Sequence, residues 1–361
     1  MFSSDDKILV YPVDRKNLPG IKSTVNYPNI RICRLVSPES WGYKGESVMC
    51  ADGLVVISND YSNELDYCSA VWIVGSWREL DFNRFIEPAI REASRKGKRI
   101  VCSRSLSHSE KELLSSIEVS YLDYSSFSPS IVINSRVREI RTPVAFVMSN
   151  TEFCNQFFIE TAICAELRNR DYETVLISSQ KVGSAFGYYT VPSFFFSGEY
   201  SENSKVIALN QYICHLEMKH QPEIIIIGVP GAAMPFDYQY TSDFGVLAYE
   251  ISEAVKPDFV VLSTPCMPFD TGFFSGIEES LFGRLGVTID IHSLSPYALD
   301  FSDSVVDKSL SYLSVDDEYV EETIKQFANE KLLNLNNKHG IETAVDRLID
   351  KLSSSPSSML M

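Results

Sequence analysis

Glu223-Ile-Ile-Ile-Ile-Gly-Val-Pro-Gly-Ala-Ala-Met-Pro-Phe236 sets four consecutive isoleucines between an acid and a glycine. A half-buried strand alternates apolar and polar residues, whereas an unbroken apolar run needs cover on both faces. The run at 223–228 is therefore read as an inner strand of a parallel sheet, with a shaped Gly/Pro loop at its carboxyl end. The apolar stretch extends from Ile224 to Met234 and is too short, and too broken by two glycines and a proline, to span a bilayer.

Working outward, the second half repeats strand, helix and strand. Strands are expected at 144–148, 173–178, 259–263 and 287–291, and helices at 153–170, 205–219, 242–255, 314–335 and 341–352. The first half reads likewise, with strands at 7–11, 31–37, 54–58, 70–75 and 98–102. A helix at 82–96 carries Phe82, Phe85, Ile86, Ala89, Ile90 and Ala93 on one stripe and ends at Gly97. A short helix at 109–117 has Ser109 as its expected cap, with Glu112 three residues on. Residues 123–142 read as a linker of turn chemistry. The fold class is α/β, with two domains of mainly parallel, doubly wound sheets. The expected division is 1–140, 141–300 and a C-terminal helical extension, 301–361, that ends in a loose tail.

Of the net charge of −16, all lies in residues 141–361, which hold 14 Lys and Arg against 30 Asp and Glu; residues 1–140 hold 18 of each. That balance disfavours nucleic acid, which asks for the opposite sign. The acidic, polar start is not a signal peptide, so the expected setting is cytoplasmic with no membrane partner. The eight cysteines form no Cys-x-x-Cys pair and are read as reduced, mostly buried thiols.

Four loops can carry function, and each has a plain packing alternative. After the strand at 144–148 comes Met148-Ser-Asn-Thr-Glu-Phe-Cys-Asn-Gln-Phe157. A strand, a loop and a helix N-terminus form a natural anion site, but this turn lacks the glycines and lysine of G-x-x-x-x-G-K-[ST], and Glu152 repels phosphate. It is either an ordinary turn capped by Asn150 or Thr151, or a repurposed polar binding loop using Ser149, Asn150 and Asn155. Gly228–Phe236, at a strand's carboxyl end, offers Gly231, Met234 and Phe236; Asp237 and Asp243 beyond it are a thin metal set. Ser179–Phe196 is rich in glycine and aromatics, with Tyr188 and Tyr189 as contact candidates, and does not spell G-x-G-x-x-G. Val36–Gly45 presents Trp41 and Tyr43, which could line a cleft between domains.

Catalytic signatures are thin. There is no Gly-x-Ser-x-Gly and no His-Glu-x-x-His. Of the five histidines, His292, at an expected strand end, is the best acid–base candidate, and a lone histidine is more often structural. No residue is assigned a catalytic or metal-binding role.

Val10-Tyr-Pro, Leu35-Val-Ser-Pro-Glu-Ser-Trp-Gly, Asn155-Gln-Phe and Ile227-Gly-Val-Pro-Gly-Ala-Ala-Met-Pro-Phe together resemble a family of peptide maturation proteins. These are encoded in clostridial and crocagin-type clusters for ribosomally made, modified peptides (RiPPs). The resemblance spans roughly residues 7–295. It implies a P-loop-like domain with eroded phosphate-binding residues. It also implies a protein that binds a precursor peptide during its maturation, without catalytic chemistry or cofactor of its own, beside other enzymes of the same cluster. The alternative is a nucleotide-dependent peptide-modifying enzyme. That reading would place Mg-ATP at 149–155, with Asp237 or Asp243 on the metal and a cation from Lys181 or Arg284.

Overall fold

The computed structural model describes residues 2–3, 5–14, 17–22, 24, 30–76, 80–104, 106–121, 136–152, 154–270, 272–307, 310–327 and 329–354. The chain is α/β and forms two compact units. One comprises Met1–Tyr124 and Lys181–Thr190, the other Ser125–Gln180 and Val191–Met361.

The first unit is built on strands β1 (Lys7–Tyr11), β2 (Arg31–Val36), β3 (Ser47–Cys50), β4 (Gly53–Ser58), β5 (Ala70–Ile73), β6 (Arg99–Cys102) and β7 (Val119–Tyr121). Their order is β3-β4-β2-β1-β5-β6-β7, all parallel except the β3–β4 hairpin. The helical stripe expected at 82–96 opens as a wide π-helical turn, Phe82–Ile86, before α1 (Glu87–Arg95). Pro88 lies in the first turn of α1 and has no N–H to donate backwards, which accounts for the loosened entry. Gly97 is left-handed, as a helix end requires. The next helix, His108–Leu113, is capped two residues earlier than expected. Ser107 and Glu110 close the reciprocal box, Glu110 N donating to Ser107 Oγ at 3.2 Å and Ser107 N to Glu110 Oε2 at 2.7 Å. The segment 181–190 leaves the second half's sequence to join this unit, where Phe186 meets the fully buried Trp72 edge-on at 6.0 Å.

The second unit carries β8 (Val144–Ser149), β9 (Thr174–Ser178), β10 (Ile224–Gly228), β11 (Phe259–Cys266), β12 (Ile291–Asp300), β13 (Ser311–Ser314) and β14 (Leu332–Leu333). They follow the order β9-β10-β8-β11-β12-β13, with β14 also on β12. Only β13 runs antiparallel. From β8 the chain moves one way, to β9. From β10 it crosses β8 to β11 and continues the other way, to β12. With right-handed crossovers this reversal winds helices onto both faces, which is why β8 and β10 are buried throughout. The connecting helices include α2 (Gln156–Asn169), α3 (Glu202–His220), α4 (Val246–Ala254) and α5 (Phe273–Leu285).

Several sequence expectations are corrected here. The division expected near residue 140 falls at Tyr124/Ser125. Residues 122–135 of the expected linker lie outside the described residues. Its end is pinned to α3, where Arg141 N and Thr142 N both donate to Glu217 Oε1 at 2.8 Å. The last long strand is 291–300 and not 287–291. The stretch 301–361 is not a helical appendage: it supplies β13 and β14 besides α6 (Asp317–Lys325) and α7 (Lys338–Ser354), and α7 packs on α2. The long helix expected at 314–335 stops at Lys325, before the asparagine-rich turn at 334–337, whose Asn337 Oδ1 accepts from Gly340 N at 2.9 Å. Among the described residues no helix is long and apolar enough to cross a membrane. All eight cysteines are free, and all but Cys33 are buried.

Ile226 sits in the middle of β10 with no exposed surface. Ile226→Ala is expected to lower the unfolding free energy by about 2–5 kcal/mol, read as a reduced denaturant midpoint at an unchanged slope.

Candidate functional site

The carboxyl end of the second unit's sheet is where chain topology opens a crevice. The connections leaving β8 and β11 turn in opposite directions, and ligands of open α/β sheets bind at such a point. The turn from β8 into α2, residues 150–155, has the length of a phosphate-binding turn, and each of its chemical parts has been exchanged. Asn155 holds the left-handed position before the helix, φ 58° and ψ 16°, which glycine and asparagine tolerate best. It, and neither Asn150 nor Thr151, is the N-cap residue, and its side chain makes no capping bond. Gln156 stands where a lysine would reach the phosphates. Its Nε2 donates to Val147 O and to Val229 O, both at 2.6 Å, while its Oε1 accepts from Ser149 Oγ at 3.0 Å. Phe157, in the place of the metal-binding hydroxyl, is fully buried. Glu152 is exposed.

The turn is braced by its neighbours. Ser263 Oγ donates to Cys154 O at 2.5 Å, Thr151 Oγ1 lies 2.9 Å from Cys154 Sγ, and Asn155 Nδ2 donates to Asn336 Oδ1 at 3.0 Å. Asn336 Nδ2 in turn donates to Leu294 O and Asn334 Oδ1, both at 2.9 Å. Burial pushes the thiols of Cys154 and Cys266 up to about 12, which keeps both protonated and poor nucleophiles at neutral pH.

Composition and spacing did not disclose the most unusual group of the site, Glu160. It lies one turn into α2, fully buried, beside β9 and β10. Its Oε1 accepts from Ser178 Oγ at 2.5 Å and from Ser179 N at 3.0 Å. Burial pushes its carboxyl up to about 8, against the opposing pull of those serine contacts. Gly228 makes the room: a Cβ there would stand 1.6 Å from Glu160 Oε2. The available sequence signal was an acid amid Phe157, Ile159, Ile163 and Leu167, on a helix apolar nearly all round.

The Gly228–Phe236 loop runs along the same edge. Val229 N donates to Val147 O at 2.9 Å, Ala233 N to Ser149 O at 2.7 Å, and Ser149 Oγ to Gly231 O at 3.1 Å. Gly231 is exposed with φ 75°, and Met234 and Phe236 are half-buried. Asp237 Oδ1 accepts from Gln239 N and Tyr240 N, both at 2.7 Å, so it closes a turn. Among the described residues no three His, Cys, Asp or Glu side chains gather as a metal site requires. The helix expected from residue 242 starts at Val246. Ser242, Asp243, Phe244 and Gly245 form a left-handed run with φ from 46° to 68°. Gly245 is needed there, since a Cβ would stand 2.4 Å from Ala233 O.

Ser149, Asn150, Asn155, Gly231, Met234 and Phe236 thus meet at one end of the second unit's sheet. Trp41, Tyr43, Tyr188 and Tyr189 belong to the first unit. Trp41 closes a short turn against that unit's core, Tyr43 is half-buried, Tyr188 is buried and Tyr189 is half-buried. His292 lies near the amino end of β12, level with Leu262 of β11, rather than at a strand's carboxyl end. It is fully buried, its Nε2 3.0 Å from Glu278 Oε1, which Lys331 Nζ also contacts at 3.0 Å. Burial lowers its pKa.

Gly228→Ala is expected to destabilise far more than an ordinary glycine replacement, and Glu160→Ser in the same chain should restore part of the loss; a double-mutant cycle by chemical denaturation reads the coupling. Because folding raises the Glu160 pKa from 4.5 to about 8, the folded state holds a proton that the unfolded state releases. Its contribution is complete below about pH 4.5 and is lost as pH rises to about 8. Stability relative to Glu160→Gln should therefore fall across that window, as followed by denaturation midpoints at pH 5, 6.5 and 8.

No family model matches the sequence, and no curated protein does. Among solved structures, the chain is similar to a DUF1611 family protein from Anabaena variabilis, with TM-score 0.60, 11% identity, and coverage of 97% of this chain and 100% of that one. At this identity the likeness is one of fold. A nucleotide-binding protein in complex with ADP from Archaeoglobus fulgidus matches with TM-score 0.28 and 10% identity over 60% of this chain and 90% of that one. A pseudomurein peptide ligase type C from Methanothermus fervidus matches with TM-score 0.25 and 5% identity over 91% of this chain and 48% of that one.

Proposed function

We propose that this protein binds a ribosomally synthesised precursor peptide and assists its maturation in the cytoplasm, beside other maturation enzymes, without catalytic chemistry or a nucleotide of its own. The observation that carries the reading is Gln156. A phosphoryl group is stabilised by cationic donors aimed at it. Here the side chain in that position is neutral, and its donors are spent on the carbonyls of Val147 and Val229. Asn155, the neighbouring loop residue, is engaged with Asn336.

What remains at the sheet's edge suits a peptide. The Gly228–Phe236 loop offers an exposed glycine backbone beside the half-buried Met234 and Phe236, and the exposed Tyr238 and Phe244 follow. Backbone groups can pair with a peptide main chain while apolar and aromatic side chains read its residues. The acidic second half favours a precursor with basic residues.

Calorimetric titration of the full chain, with the precursor peptide encoded beside its gene in one run and Mg-ATP in another, tests this. Saturable peptide binding without a nucleotide signal is expected, weakened by Met234→Ala or Phe236→Ala by about tenfold each. Saturable Mg-ATP binding, or ATP turnover in the presence of peptide, would establish the nucleotide-dependent enzyme instead.

A further inference from the structure

Among the described residues, two buried oxygens stand without a hydrogen-bond partner at the point where the chain's winding reverses. Asn150 Oδ1 lies just past the carboxyl end of β8, and Thr264 Oγ1 near that of β11. The residues are 3% and 0% exposed. They are neighbours by register: Leu262 pairs with Met148 and Ser263 with Ser149, and Asn150 N continues the ladder onto Ser263 O at 2.8 Å. Side chains alternate across a strand. The hydroxyls of Ser149 and Ser263 are spent on the α2 side, on Gln156, Gly231 and Cys154. Thr264, and Asn150 in the continued register, therefore share the other face.

Buried polar atoms are nearly always paired, and leaving one unpaired costs about 1–3 kcal/mol. Two such atoms on residues that are neighbours by register, at the position where sheet topology by itself places ligands, mark a site for something that binds there. Their chemistry defines its class. An asparagine carbonyl accepts a hydrogen bond, and a threonine hydroxyl can donate one. Both groups are themselves neutral: they offer a phosphate no cation and a buried ammonium no counter-charge. A planar amide satisfies both atoms, its N–H donating to Asn150 Oδ1 and its C=O accepting from Thr264 Oγ1.

We infer that the crevice between the carboxyl ends of β8 and β11 is a binding site for a neutral amide group of a peptide, held by Asn150 and Thr264. The inference deepens the peptide-binding reading and rests on it for the source of the amide. That source is either a side-chain carboxamide or the peptide backbone.

Ligand-observed NMR titrations of the full chain test it, with N-acetyl-glutamine methylamide, N-acetyl-alanine methylamide, N-acetyl-lysine methylamide and inorganic phosphate as probes. Saturable binding of the glutamine probe above the alanine probe supports the site and assigns a side-chain carboxamide. Equal binding of both supports it and assigns the backbone. In either case Asn150→Ala and the near-isosteric Thr264→Val should each weaken binding by about tenfold, with circular dichroism unchanged. Preference for phosphate or for the lysine probe would overturn the inference. So would absence of binding by every probe, or variants that shift the thermal midpoint without changing probe binding, since bound water would then fill the recess. Amide binding that is lost in both variants while the precursor peptide still binds them normally would leave this site standing and remove it from the precursor-binding surface.

Discussion

The carboxamide of Gln156 is the joint on which the second unit's site depends. One nitrogen holds the last turn of β8 and the first residue after β10 through two backbone carbonyls at 2.6 Å, and the oxygen of the same amide takes the Ser149 hydroxyl. Both strands end in loops, and loops leave carbonyls that must find donors. A lysine at this position could direct a charge outward to a phosphate. A glutamine turned inward fixes the edge of the sheet and brings no positive charge to it. With glutamine at this position, the amide serves the backbone of the turn's own neighbours.

Glu160 and Gly228 extend the same logic one turn along α2. An acid at a fully buried position is tolerable if its charge is removed or fully hydrogen-bonded. Here burial moves the carboxyl toward the neutral form, and among the described residues Ser178 and Ser179 hydrogen-bond to it. The space it needs exists because β10 ends in glycine. The isoleucine run and the glycine that closes it are therefore two parts of one constraint. The isoleucines demand cover on both faces, and the glycine admits a polar group into that cover.

The sequence disclosed most of what periodicity can disclose. The isoleucine strand, β8 and the parallel α/β class follow from apolar runs that need cover on both faces, and the missing phosphate lysine was legible from residue types alone. The elements misread are those set by tertiary context. The helical character of 242–245 is overridden because Gly245 must pass beneath Ala233, which turns the backbone left-handed. Residues 181–190 read as part of the second half, yet they group with the first unit, where Phe186 meets Trp72, a partner far away in sequence. Glu160 was passed over because one acid on an apolar helix resembles a solvated position. Its burial emerges only when α2 is seen between the sheet and α7.

A crevice at a winding reversal is a product of strand order, and strand order is indifferent to the side chains that line it. At this reversal the chain carries asparagine, glutamine, serine and, one turn into α2, a protonatable acid. Such groups cannot neutralise a phosphoryl charge, but they offer paired donors and acceptors of the kind a peptide amide presents. A ligand seated there would supply the partner that the described residues do not provide for the oxygens of Asn150 and Thr264.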